Sequence, residues 1–358
     1  MRNQRIAGGR LRSAQEVVGW LGAVQSQEYA LARWSVGMRM AGRGGAPAVE
    51  SDVEAAIASG AILRTHILRP TWHFILPRDI MPVMRLTAPR IRLQTSTRVY
   101  QQLGLTDRQL ARAHDLIGAA LAGGRHQTRR ELADVLVRGG VSVDGQRLAY
   151  IFYAAEFELL VCSGVPQGAK QTYALLDERA PEGRGDATFE RDRALAELTR
   201  RYFTSHGPAT IADFTWWSSL TTADARRGLA ENGSKLEKIT VDGTDYWWAG
   251  DTTSGKDDPS PTAHLLQGYD EYVVGYRSPR TAITLDGFAP ASALSRPPWL
   301  HGVFLDGQLV GWWRRGPVKE GFRVETRLLR DLTIREQSAL QQAVERYSRF
   351  AERPRNGK

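Results

Sequence analysis

At 358 residues the chain is long enough for two or three domains with real cores, and 42% hydrophobic against 24% charged residues is the balance of a soluble globular protein. A surplus of 48 Lys and Arg over 39 Asp and Glu leaves a formal charge of +9, which favours a polyanionic partner, nucleic acid first. A single cysteine, Cys162, excludes an internal disulfide and a cysteine-based zinc site; no apolar run reaches membrane-spanning length and "MRNQRIAGGR" lacks the apolar stretch of a signal peptide, so a cytoplasmic protein is expected.

Helix starts repeat one signature along the chain. "SAQE" (13–16), "SDVE" (51–54), "TDRQ" (106–109) and "TRRE" (128–131) fit the capping box, in which a hydroxyl and a side chain three residues on satisfy free backbone N–H groups. After the first, Val17, Val18, Trp20, Leu21 and Val24 recur at helical spacing and mark a buried face. Directly behind it stands "AVQSQEYALARW", with Gln25 and Gln27 one residue apart.

Short helices then give way to short strands three times. The first unit, residues 15–76, ends in the β-branched stretch "AILRTHILRPTWHFIL". The second, residues 106–176, has helices over "TRRELADVLVRGG" and "RLAYIFYAAEF" and strands at "LLVCSG" and "TYALL". The third begins near residue 188, holds "IADFTWWSSL" and "TTADARRGLAENG", and closes in "LEKITVDGTDYWWAG", where Asp242-Gly243 marks a hairpin turn. Helices followed by a hairpin is the order of a winged helix, and three in series in a basic chain strengthen that reading. Beyond the polar "GDTTSGKDDPSP", the stretches "YDEYVVGY", "HGVFLDGQLVGWWRRG" and "FRVETRLLR" read as strands, with a second turn at Asp306-Gly307. A last helix, residues 333–350, starts at "TIRE". The expected fold is α+β: three tandem winged-helix motifs (1–90, 91–182, 183–252), then a small β-barrel with a terminal helix (253–358).

Candidate functional residues gather in few places. "RTHILRPTWHF" puts Arg64, His66, Arg69, Trp72 and His73 in one wing: Arg69 suits a phosphate and His73 the lining of a pocket, while a hydrogen-bonded core histidine is the bland alternative. "WWRRG" places Arg314 and Arg315 behind two tryptophans, a pattern for DNA contact or for solvated arginines on an aromatic strand. Seven scattered histidines give no metal-ligand spacing. Asp270 and Glu271, adjacent on an expected strand, point to opposite faces and form no acid–base pair.

Five stretches in the same order, "VVGWLGAVQSQEYALARWSVGMR", "RTHILRPTWHF", "SGVPQGAKQTYALLDER", "YFTSHGPATIADFTWWSSL" and "LLQGYDEYVVGYR", resemble the AlkZ-type winged-helix DNA glycosylase superfamily, bacterial glycosylases of alkylpurines and interstrand crosslinks. The resemblance implies a monofunctional DNA glycosylase removing N7-alkylated purines, bulky adducts or crosslinks among them, with no cofactor and no nucleotide. Double-stranded DNA carrying alkylated bases is then the partner, a monomer the expected state, and self-resistance to a DNA-alkylating natural product a plausible purpose. The superfamily signature is Gln, an aliphatic residue, then Gln or Asp; Gln25, Ser26 and Gln27 stand at those positions, with a hydroxyl where the family has an apolar anchor.

Neutral amides suit that chemistry. An N7-alkylated purine is already cationic and leaves without a general acid, so what remains is to place a water and stabilise an oxocarbenium-like transition state. Residues at i and i+2 share a side only in extended backbone, so the helix begun at Ser13 must end near Val24 if both amides are to hold one water. No lysine lies near Gln25 to act as a lyase nucleophile. The alternative is a winged-helix DNA-binding protein without catalysis, a transcriptional regulator or a lesion binder.

Overall fold

A computed structural model describes residues 1–42, 46–168, 170–181, 189–250, 260–277, 301–317 and 322–352, with backbone alone for 93–98. The chain opens with α1 (Ala14–Leu21), β1 (Val24–Gln25), α2 (Tyr29–Gly37), α3 (Glu50–Ser59), β2 (Leu63–Ile67) and β3 (Thr71–Ile75). There follow α4 (Pro77–Gln102), α5 (Asp107–Leu121), β4 (Gln127–Thr128), α6 (Arg129–Arg138), α7 (Arg147–Phe157), β5 (Val161–Ser163), β6 (Thr172–Leu175) and α8 (Leu176–Arg179). The remainder comprises α9 (Arg191–His206), α10 (Ile211–Ser218), α11 (Thr222–Asn232), β7 (Glu237–Val241), β8 (Thr244–Trp248), β9 (Ala263–Leu266), α12 (Glu271–Val274), β10 (His301–Leu305), β11 (Gln308–Pro317), β12 (Phe322–Leu328) and α13 (Ile334–Ala351).

The capping pattern sets most helix starts. Thr106, Thr128 and Thr333 form complete boxes with Gln109, Glu131 and Glu336. Ser13 accepts from Glu16 N at 3.2 Å, but the Glu16 carboxylate turns to Arg12 N instead of closing the box. At "SDVE" the expectation is corrected: α3 already begins at Glu50, because Asp52 accepts the free N–H of Val49 and favours an earlier first turn.

The residues divide into two compact units: Met1–Glu54 with Arg200–Trp217 and Ser234–Lys358, and Ala55–Thr199 with Ser218–Gly233. In the first, β12, β11, β10 and β9 form an antiparallel sheet in that order, with Trp313 of β11 opposite His301 and Thr326. Asp306 and Gly307 join β10 to β11 with φ of +47° and +88°, the left-handed pair that a two-residue hairpin needs. Asp242 and Gly243 do the same between β7 and β8. Trp34 of α2 and Tyr347 and Phe350 of α13 pack with Trp313, the Trp313 and Tyr347 rings 4.7 Å apart. Burying each such side chain contributes roughly 1.5–3 kcal/mol.

The expected barrel is corrected here. Among the described residues β9 and β12 are the edges of an open four-stranded sheet. Closure around a filled interior takes about eight strands, and helices cover the apolar face instead. "YDEYVVGY" is corrected as well: Asp270 accepts from Tyr272 N and starts the short helix α12, since an N-terminal carboxylate cap outweighs the strand propensity of two valines.

In the second unit α5, α6 and α7 pack with β5 and β6 around Leu110, Ile117, Leu132, Leu136, Ile151 and Phe152. β2 and β3 form an antiparallel hairpin in which Thr65 faces His73 and His66 faces Trp72. Among the described residues no helix is long and apolar enough to cross a membrane.

Candidate active site

The glutamine segment owes its shape to a glycine. α1 stops at Leu21 because Gly22 takes φ of +82°, a left-handed conformation that other residues adopt only at a cost. The chain then runs extended through Val24 and Gln25 before α2 begins at Tyr29. The helix therefore ends before the glutamines. Gln25 is 5% exposed, Ser26 is fully buried, and Gln27 is exposed. Ser26 thus fills an enclosed position where only a small side chain is present.

Beneath the segment lies a buried polar cluster. Glu271 Oε1 accepts from the backbone N–H of Gln25 at 2.8 Å. Its Oε2 accepts from Trp217 Nε1 at 3.0 Å and faces His206 Nε2 at 3.4 Å. The Ser205 hydroxyl donates to Arg201 O and lies 2.8 Å from His206 Nδ1, so Nδ1 serves as its donor. Gln267 Nε2 donates to Ser35 Oγ at 3.1 Å.

The neighbouring Asp270 takes two bonds from Arg39, at 2.9 and 2.8 Å, in a pair excluded from solvent. Arg39 also donates to Gln4 O, Ser35 O and Gln4 Oε1, so all five of its N–H protons are placed. Bidentate geometry with satisfied neighbours is what a buried pair needs to offset its desolvation.

One residue beyond Gln27, Glu28 sits 3.7 Å from His301 Nε2. His301 Nδ1 accepts from Gly268 N at 3.1 Å, so in the neutral ring Nε2 carries the proton. Burial, aided by the charge of Arg315, pushes His301 from 6.5 to about 4, and burial raises Glu28 while Arg315 opposes the rise. His264 on β9 is pushed to about 3 by burial and then by Arg346. Both histidines are depressed below their unfolded value, so both are neutral when folded, and protonation favours unfolding. Stability is expected to be full above pH 6.5 and to fall from there through pH 4, by on the order of 1.4 kcal/mol per pH unit per histidine. Melting curves between pH 7 and 4 test this; a slope unchanged in His264→Gln and His301→Gln would reject it.

The sequence-selected residues fall into separate settings. Arg315 is exposed, with its guanidinium 4.7 Å from the Phe322 ring centroid and its Nε donating to Tyr347. Arg314 is bound to Glu325 at 2.8 Å. In the second unit the Arg64 guanidinium, 8% exposed as a residue, stacks 4.0 Å over Trp72, and the His66 ring also lies 4.0 Å from that indole. His66 Nδ1 bonds the buried Glu156. His73 is fully buried and its Nδ1 donates to Thr71 O at 2.9 Å. Arg69 lies half-buried beside the hairpin turn. Within the first unit, then, the structure brings Arg315 toward Glu28, next to the glutamines. Arg64, His66 and Trp72 are brought together in the second. The Glu271–Trp217–His206 cluster and His301 escape sequence reading, because each partner lies far along the chain and only the pair "DE" hints at it.

The mixed helix-and-sheet fold has a known counterpart. The fold superposes on Streptomyces sahachiroi DNA glycosylase AlkZ with a TM-score of 0.76, covering 98% of this chain and 94% of that chain at 23% identity. An interstrand DNA cross-link repair glycosylase from Streptomyces sahachiroi is 28% identical over 319 residues, 84% of this chain and 82% of that protein. The profile of the family described as "DNA glycosylase AlkZ-like" matches residues 18–350. The chain belongs to the AlkZ-like DNA glycosylase family.

Proposed function

We propose that the chain is a monofunctional DNA glycosylase that hydrolyses the N-glycosidic bond of N7-alkylated purines, bulky adducts and interstrand crosslinks among them. The carbonyls and NH₂ groups of Gln25 and Gln27 hold a water against the sugar C1′. The C1′–N9 bond breaks with its electron pair passing to the purine ring, which neutralises the charge at N7. Water oxygen bonds to C1′ and releases its extra proton to solvent, leaving an abasic site. The observation that carries this reading is the end of α1 at Leu21, which leaves Gln25 in extended backbone anchored through its own N–H to Glu271.

Residues 1–90, 91–182 and 183–252 are read as three winged helices holding duplex DNA, with Arg64, His66, Arg69, Trp72, His73, Arg314 and Arg315 as lesion or backbone contacts. The name of the Streptomyces sahachiroi relative, an interstrand DNA cross-link repair glycosylase, supports crosslinks as substrates; self-resistance to a DNA-alkylating natural product is the purpose proposed with them. The protein is read as a monomer. Incubation with duplex DNA containing N7-methylguanine or a bulky N7 adduct, followed by alkali, is expected to yield strand breaks at the lesion. Sequence-specific duplex binding with no breaks on any alkylated substrate would replace this reading with that of a regulator.

A further inference from the structure

We propose that Glu271 is a positioning residue for the glutamine segment: its carboxylate fixes the Gln25 peptide, and Asp270 with Arg39 fixes Glu271. The inference rests on the reading of Gln25 as a water-holding residue.

Glu271 is fully buried, a placement that costs several kcal/mol for a carboxylate unless strong donors surround it. The donors are arranged in two directions. One oxygen takes the Gln25 N–H; the other takes the indole of Trp217 on α10 and faces His206 at the end of α9. The carboxylate thus ties the extended segment to two helices through one rigid group, by charge-assisted bonds about twice as strong as neutral ones. Trp217 also lies 3.4 Å from where a Cβ on Gly22 would stand, so the same indole packs against the turn that ends α1.

Glu271 is held in its turn. It is the first residue of α12, whose N-cap is Asp270, and Asp270 carries the bidentate bond from Arg39. The Glu271 carbonyl accepts from Gln4 Nε2, and that amide also donates to the Tyr276 hydroxyl. The two adjacent acids therefore divide the work. Asp270 docks α12, and Glu271 extends from the docked helix to the Gln25 peptide. A side-chain amide that must hold a water within a few tenths of an ångström inherits any shift of its peptide, and a displacement of about 1 Å in a reacting geometry costs on the order of 10²-fold. Glu271→Gln presents an NH₂ to one of the donors and loosens that peptide without touching substrate.

The test compares single-turnover excision of N7-methylguanine, duplex affinity and thermal melting for wild type, Glu271→Gln, Gln25→Ala and the double variant. Glu271→Gln is expected to lose roughly 10- to 100-fold in the excision rate at saturating enzyme, with duplex affinity held within about threefold. In the Gln25→Ala background the same change is expected to cost nothing more, because both act through one group. Multiplying losses, or a folded Glu271→Gln with the wild-type rate, would overturn the proposal. If Glu271→Gln fails to fold, Trp217→Phe removes one donor and keeps the charge, and it must show the same non-additivity with Gln25→Ala. A Gln25→Ala protein with wild-type excision marks failure of the underlying site reading, which the Glu271 variants alone do not produce.

Discussion

Gln25→Ala is expected to lower single-turnover excision of N7-methylguanine by roughly 10²- to 10³-fold, the range for removing one preorganised polar group from a water-poor site. Duplex affinity should stay near that of wild type, since the side chain is 5% exposed and offers the DNA little surface. Gln27 is exposed before substrate arrives, so its amide is less preorganised and its removal is expected to cost about tenfold less. If the two amides hold one water, Gln25→Ala with Gln27→Ala should resemble Gln25→Ala alone, as groups acting as a unit do. Undiminished excision by Gln25→Ala would end the catalytic assignment.

The second large effect is on stability. Asp270→Ala leaves the Arg39 guanidinium buried without its carboxylate, which is expected to cost about 3–5 kcal/mol in urea unfolding. Replacing both partners, Arg39→Met with Asp270→Leu, removes the stranded charge and should recover much of that loss. The double substitution still removes the cap of α12, so excision is expected to fall even where folding is restored. An Asp270→Ala protein as stable as wild type would contradict the buried-pair account.

Local rules made part of this legible from residues alone. The requirement that α1 end before Gln25 followed from side-chain periodicity, and Gly22 supplies the stop. Both Asp-Gly pairs form the turns that their backbone preference predicts. The failures have equally specific causes. Residues 77–102 carried no expectation; α4 runs there as a continuous helix through Pro82 and Pro89, and burial of Ile80, Met81, Met84 and Ile91 offsets the cost of proline in a helix interior. Asp270 and Glu271 were legible as a pair but assigned to a strand, which put them on opposite faces; as cap and first residue of a helix both are buried. Arg64 was legible as a member of the wing, but its stacking on Trp72 was not, because that contact is made with a neighbour across the hairpin. Periodicity reports which face is apolar. It does not report which distant residue will bond a given amide.

The partner of the Gln25 peptide lies 246 residues further along the chain. During synthesis at about 5–20 residues per second, roughly 12–50 s separate the emergence of the two. Throughout that interval the amide segment exists without its anchor. A nascent or prematurely terminated chain that reaches DNA before Glu271 has been made therefore presents the glutamines in an unheld loop. On the role proposed for Glu271, a chain truncated before residue 271 is expected to lose excision although both glutamines are present.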